Sequence, residues 1–144
     1  MAKVIVADEN EGRRTLLANT LEREGFDITR AGTLRQAEGT ALVTMPEIVL
    51  LEGEWKNGDA IDAAQRLMSD PEFAFKCRIV VLSRNTGQEY LVSAAKAGIS
   101  EVIAKPIDMK DCPNKGQSTQ SNDQGKKWYL QPPTNNQKHL QRNG

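Results

Sequence analysis

Ile48-Val49-Leu50-Leu51-Glu52 is the stretch whose reading decides the fold of this chain. Four consecutive apolar residues read as a short strand buried on both faces of a sheet, and the strand stops on a carboxylate. Val4-Ile5-Val6-Ala7 repeats the form and stops on Asp8-Glu9. In an open parallel α/β sheet, ligands sit at the carboxyl ends of the strands. Three carboxylates gathered there repel one another, so a cation, a lysine or a bound proton must offset them. The expectation is a small acidic pocket, with Glu52 as its most consequential residue.

Working outward, residues 1–106 alternate strands and helices with regular punctuation. Lys3–Ala7 is the first predicted strand, and a helix is expected from about Glu11 to Glu24, with Leu16, Leu17 and Leu21 on one side. Gly25 closes that helix, and Phe26–Arg30 reads as a short second strand. Thr33-Leu34-Arg35-Gln36 is a capping box for a second helix that ends near Thr44 before Met45-Pro46. After the Ile48–Leu51 strand, the loop at 52–58 leads to Asp59, an N-cap for a third helix ending at Asp70-Pro71. Arg78–Leu82 is the fourth strand. Thr86-Gly87-Gln88-Glu89 is a further capping box, opening a fourth helix that runs to Ala97. Val102–Ala104 is the fifth strand, followed by Lys105-Pro106. The alternation predicts an α/β architecture, a doubly wound five-stranded parallel sheet with right-handed crossovers.

The tail breaks the pattern. Residues 111–144 hold eleven Asn/Gln, three Pro and only five apolar or aromatic residues (Cys112, Trp128, Tyr129, Leu130 and Leu140). The division expected is a domain at 1–108 and a disordered or non-native tail at 109–144. His139 is expected to be solvated. The formal charge is zero overall, with five Lys/Arg against two Asp/Glu in 111–144 and fourteen against seventeen before it. A −3 body with a +3 tail gives no argument for direct nucleic-acid binding. Cys77 and Cys112 lie far apart, without metal-ligand spacing, and read as reduced thiols. The start of the chain shows no signal-peptide pattern and no apolar run is of membrane-spanning length, so no membrane association and a cytoplasmic location are expected. A nucleotide-binding enzyme is disfavoured: there is no Walker lysine motif and no Gly-rich turn after the first strand.

Four blocks in order carry a family resemblance: Val4-Ile5-Val6-Ala7-Asp8-Glu9, Ile48-Val49-Leu50-Leu51-Glu52, Val80-Val81-Leu82-Ser83 and Lys105-Pro106. With the Leu-rich first helix ending Glu22-Arg23-Glu24-Gly25-Phe26, they resemble the receiver domain of bacterial two-component response regulators over about residues 2–108. The resemblance implies a flavodoxin-like fold of five strands and five helices. It also implies a phosphorelay chemistry in which an aspartate ending strand three accepts a phosphoryl group from a histidine kinase. An acidic pair holds Mg²⁺, a Ser/Thr and a Lys contact the phosphoryl oxygens, and that lysine precedes a cis peptide. On this chain the metal positions fall on Asp8, Glu9 and Glu52, and the phosphoryl contacts on Ser83 and Lys105. Mg²⁺ takes hard oxygen ligands, a lysine is a point charge for phosphate, and a hydroxyl is a rotatable donor. By themselves, Asp8 and Glu9 also suit the start of a helix.

Three departures set the expectation for function. Glu52 stands where the acceptor aspartate belongs, and its extra methylene moves the carboxylate by more than a bond length in a reaction that depends on positioning. It can instead reach Lys105 and form a standing ion pair that imitates part of the phosphoryl charge. Val102 stands where an aromatic switch residue is usual, and valine is stiff at χ1 with no ring to move. Pro113 would interrupt a fifth helix in its second turn, which leaves that helix doubtful. Glu54 adds a negative charge beside the pocket, while its backbone carbonyl faces the metal in the family. Trp55 is either a partner contact or a lid, and Tyr90 is a further candidate at the interface.

The reading is a degenerate receiver, a pseudo-receiver, that is not an enzyme and signals by binding a protein partner. The partner would meet the face of the fourth predicted helix and fifth strand, Gln88–Lys105. A histidine kinase, an output domain or a second copy in a homodimer are the candidates. The chain would be a stand-alone regulator or a receiver from a larger protein. The alternative is a working Mg²⁺-dependent phosphoacceptor.

Overall fold

The computed structural model describes residues 1–106. The expected tail, the question of a fifth helix after Pro106, Cys112, Trp128-Tyr129-Leu130 and His139 lie outside the described residues.

Five strands, β1 (Lys3–Ala7), β2 (Asp27–Ala31), β3 (Ile48–Glu52), β4 (Arg78–Ser83) and β5 (Glu101–Ala104), form one parallel sheet in the order β2-β1-β3-β4-β5. Their connections carry α1 (Glu11–Arg23), α2 (Leu34–Thr44), α3 (Ala60–Met68), α4 (Pro71–Lys76) and α5 (Gln88–Lys96). Every residue of β3 and β4 is buried, as a strand covered on both faces requires. Alternation then sorts the side chains. Ile5, Ala7, Val49, Leu51, Ile79 and Val81 face one layer with Ala37, Ala41, Ala63, Ala64, Leu67, Phe73 and Ala94 of the helices. Val4, Val6, Ile48, Leu50 and Val80 face the other, against Ala18 and Leu21 of α1 and the loop residue Phe26. The small residues of α2 and α3 let those helices approach the sheet closely.

The caps follow the sequence at most ends. Thr33 accepts from Gln36 N at 3.0 Å, but the return bond runs from Gly32 N to Gln36 Oε1 at 2.8 Å, one residue earlier than a capping box places it. Asp59 accepts from Ile61 N at 2.7 Å. Gly25 and Gly98 take φ of 98° and 91°, the left-handed region that glycine enters freely.

Several expectations need correction. Thr86 caps nothing: Gly87 is the N-cap of α5 and makes no side-chain cap bond. The second strand begins at Asp27, since Phe26 turns into the core. Asp70-Pro71 ends the third predicted helix, and the sequence reading assigns no element before Arg78, yet Pro71–Lys76 is the short helix α4. Asp70 accepts from Phe73 N at 3.0 Å and Pro71 occupies the first turn, where its missing N–H costs nothing. The pair that ends one helix begins the next. The helix expected to be fourth is therefore α5. Leu16 does not share the burial of Leu21. It is 52 % exposed and borders a cleft of about 610 Å³ with Leu17, Leu82 and Pro106.

Cys77 is a buried free thiol, and burial pushes its pKa up to about 11. Among the described residues no helix is long and apolar enough to cross a membrane.

Candidate functional site

The strand order brings four chain ends to one edge of the sheet. Asp8 follows β1, Glu52 ends β3, Ser83 ends β4 and Lys105 follows β5. Lys105 N donates to Ser83 O at 2.9 Å, and the Lys105–Pro106 peptide is cis, as the resemblance implies. Asp8, Glu52 and Ser83 are all buried. The cleft at these strand ends is lined by Asp8 and Glu52, but also by Arg13, Arg84 and Lys105.

Lysine is the group that offsets the acids. Lys105 Nζ donates to Glu52 Oε2 and also lies 2.8 Å from Glu54 Oε1. Both partners are largely withdrawn from water, with 3 % of the Glu52 side chain and 12 % of the Lys105 side chain exposed. Burial drives the Glu52 carboxyl above the usual carboxylate range, against the pull of Lys105 and of the Glu54 N–H, which donates to Oε2 at 3.1 Å. Burial lowers Lys105, but Glu52 and Glu54 together hold it above the ordinary lysine value. The standing Glu52–Lys105 pair anticipated from the sequence is there.

The metal positions are placed differently. Arg13, on the first turn of α1, clamps Asp8 with Nε at 2.9 Å from Oδ2 and Nη2 at 3.0 Å from Oδ1. Asn10 N adds a third bond to Oδ1 at 2.9 Å, and Arg14 Nη1 donates to the Asp8 carbonyl at 2.7 Å. Glu9 accepts from Lys56 N at 3.1 and 3.2 Å. Among the described residues no group of three acids, histidines or cysteines is placed to hold a metal ion. The oxygen chemistry suits Mg²⁺, but its donors are committed to arginine, lysine and backbone N–H groups. In this arrangement those oxygens bond to protein groups, while their chemistry stays compatible with Mg²⁺.

Glu54 holds a position that its sequence context did not announce. Ser83 Oγ donates to Glu54 Oε2 at 2.8 Å, and Arg84 N reaches both carboxylate oxygens at 3.3 Å. Partial burial pushes its carboxyl up, but Lys105, Ser83 and the Arg84 N–H outweigh this and hold it below the usual range. Gly53 makes the approach feasible: its N donates to Leu82 O at 2.8 Å, and a Cβ there would sit 2.9 Å from Ser83 Cβ and 3.0 Å from Leu82 O. Gly53→Ala must push β3 and β4 apart. It is expected to lower stability by about 1–3 kcal/mol, read as a lower urea midpoint.

Trp55 is half-buried against the core, and its Nε1 donates to the Glu52 carbonyl. That bond fixes the indole beside the end of β3. Val102 pairs with Val81 on β4 and packs, partly buried, against the core. Tyr90 Oη is buried without a hydrogen-bond partner. Burial raises the phenol, and the nearby Ser83 hydroxyl pulls the other way without completing a bond. Sequence reasoning missed Arg13. The available signal was an arginine five residues after Asp8, in the first turn of a helix that starts beside the pocket.

The sequence model of the response regulator receiver domain matches residues 4–115. Phosphate regulon transcriptional regulatory protein PhoB of Pseudomonas aeruginosa is 22 % identical over 108 residues, covering 75 % of this chain and 47 % of that protein. Transcriptional regulatory protein PdtaR of Mycobacterium tuberculosis is 28 % identical over 110 residues, covering 76 % and 52 %. The chain thus spans about half the length of the curated relatives it matches. Among solved structures, the chemotaxis protein CheY4 of Vibrio cholerae superposes with a TM-score of 0.71 at 19 % identity, over 76 % of this chain and 91 % of that one. That likeness concerns the fold alone.

Proposed function

We propose that this chain, which belongs to the response regulator receiver domain family, works as a protein-interaction module whose state does not depend on phosphorylation. The observation that carries the reading is the Glu52–Lys105 ion pair. In the family's chemistry the residue at 52 is the acceptor and the lysine meets the transferred group, and here each is committed to the other. The clamp of Arg13 on Asp8 and the turn of Glu9 toward Lys56 support it further, because both remove oxygens from the position where the family binds Mg²⁺. On this reading the chain is not an enzyme and is a pseudo-receiver in the cytoplasm.

Its output is binding. Receiver domains interact with kinases and with output domains, and the surface proposed here is α5 with β5, Gln88–Lys105. Tyr90 and Val102 lie within that stretch, and Trp55 lies beside it across a groove shared with Tyr90 and Ser93. A histidine kinase, an output domain or a second copy of the chain are the partners this face would take. Whichever it is, it must bind two conformations with different affinity if it is to change the state of the domain.

The test is the intact mass of the folded protein after incubation with acetyl phosphate and Mg²⁺, beside an Mg²⁺-free control. No change in mass is the expected result. An Mg²⁺-dependent gain of one phosphoryl group would overturn the proposal and make the chain a working phosphoacceptor.

A further inference from the structure

Three donors converge at the end of β4: the Ser83 hydroxyl, the Arg84 N–H and the Lys105 ammonium. All three are directed at the carboxylate of Glu54, at 2.8, 3.3 and 2.8 Å. A rotatable hydroxyl, a backbone N–H and a cation together make a cradle for an oxyanion. The occupant comes from the same chain, two residues past the end of β3. We infer that the Glu54 carboxylate is the resident anion of this cradle, and that its occupancy is what keeps free oxyanions of the phosphate class out.

This inference rests on the reading of the pocket as one that transfers no phosphoryl group, and it adds the residue that enforces that state. Glu52 alone does not fill the cradle. Its Oε2 takes Lys105 and the Glu54 N–H, and it makes no bond to Ser83 or Arg84 among those described. Glu54 spans the gap from β3 to β4, and the close contact of Gly53 with Leu82 sets the distance it must reach. Tethering supplies the occupant at high effective concentration, because the loop between Glu52 and Glu54 is a single residue. A free anion must therefore displace a neighbour that is already bonded and also overcome its charge.

Occupancy also has a conformational consequence. Ser83 Oγ donates to Glu54 and accepts from Asn85 N at 2.9 Å, while Tyr90 Oη beside it is buried without a partner. Were Glu54 withdrawn, the serine hydroxyl would be free to turn toward that phenol. Glu54 thereby fixes the hydroxyl orientation as well as the charge of the cradle.

The experiment is a titration of inorganic phosphate into wild-type protein and Glu54→Ala, followed through the amide resonances of Arg84 and Asn85. The Glu54 side chain is 43 % exposed, so the variant is expected to fold. The inference predicts a phosphate affinity at least about tenfold higher in Glu54→Ala than in wild type, the equivalent of one charge-assisted hydrogen bond made available. Adding Ser83→Ala to that variant should abolish most of the gain. Equal affinities, no binding to either protein, or a gain that survives Ser83→Ala would each overturn it. A phosphoryl mass increment on wild-type protein would instead defeat the proposed function, so the two failures are read by different measurements.

Discussion

Lys105→Met should cost about 3–5 kcal/mol of folding stability at neutral pH, because it leaves a buried carboxylate without its counter-charge. Only 3 % of the Glu52 side chain is exposed, so water cannot replace the ammonium. Methionine keeps the apolar stem and much of the volume of lysine, which confines the change to the charge. For a domain of this size the loss corresponds to a fall in Tm of about 12 °C or more.

The sign of its pH dependence follows from the two carboxylates. The Glu52 carboxyl is raised in the folded protein by burial, so its ionisation opposes folding as pH climbs from the unfolded carboxylate value through the folded one. Without Lys105 this opposition grows. The variant should therefore gain relative stability on acidification toward pH ~4, where Glu52 can take up a proton. Glu54 works in the other sense. Its carboxyl is depressed in the folded wild type despite partial burial, so its contribution is present above the unfolded value and is lost as pH falls through the folded one. The two stability curves should converge on acidification. Urea unfolding of both proteins across that range checks the prediction, and a pH-independent gap would contradict the assignment of the cost to Glu52.

Phe73→Ala should be comparably damaging, at about 3–5 kcal/mol, since it empties one of the largest fully buried side chains in the fold. Phe73 is anchored twice. Its N–H bonds to the Asp70 cap, and its ring enters the layer formed by Ile79, Ala63, Ala64 and Leu67. The expected readout is a lower urea midpoint at unchanged slope. A loss below about 1 kcal/mol would mean that the site collapses around the missing ring.

That residue also marks where local reading falls short. Asp70-Pro71 carries a strong stop signal for α3 and an equally good start signal for α4. A helix of six residues has too little periodicity to separate the two. The same holds for Thr86, whose side chain fits a capping box by spacing yet bonds to nothing at the start of α5. Leu16 is a third case. Its spacing with Leu17 and Leu21 predicts one apolar stripe, but burial depends on what lies opposite, and among the described residues a cleft lies opposite Leu16.

By itself the sequence determined the strand cores, the burial of β1 and β3, the parallel alternation, the caps at Thr33 and Asp59, and the carboxylates Asp8 and Glu52 at strand ends, while the family resemblance added Ser83 and Lys105. Each of these depends on a short window: an apolar run, a turn residue, a carboxylate at a strand end. Apart from the Glu52–Lys105 pair, which the sequence anticipates, the partners of the charged residues around the site were decided by the tertiary structure. Arg13 clamps Asp8 as a local contact five residues on, but Glu9 turns away to Lys56 and Glu54 crosses from β3 to the donors at the end of β4. The physical reason is distance. A charge selects its partner by proximity and desolvation, and the proximity of residues 29 to 53 positions apart exists only once the sheet has brought Gly53 against Leu82 and Lys105 beside Ser83.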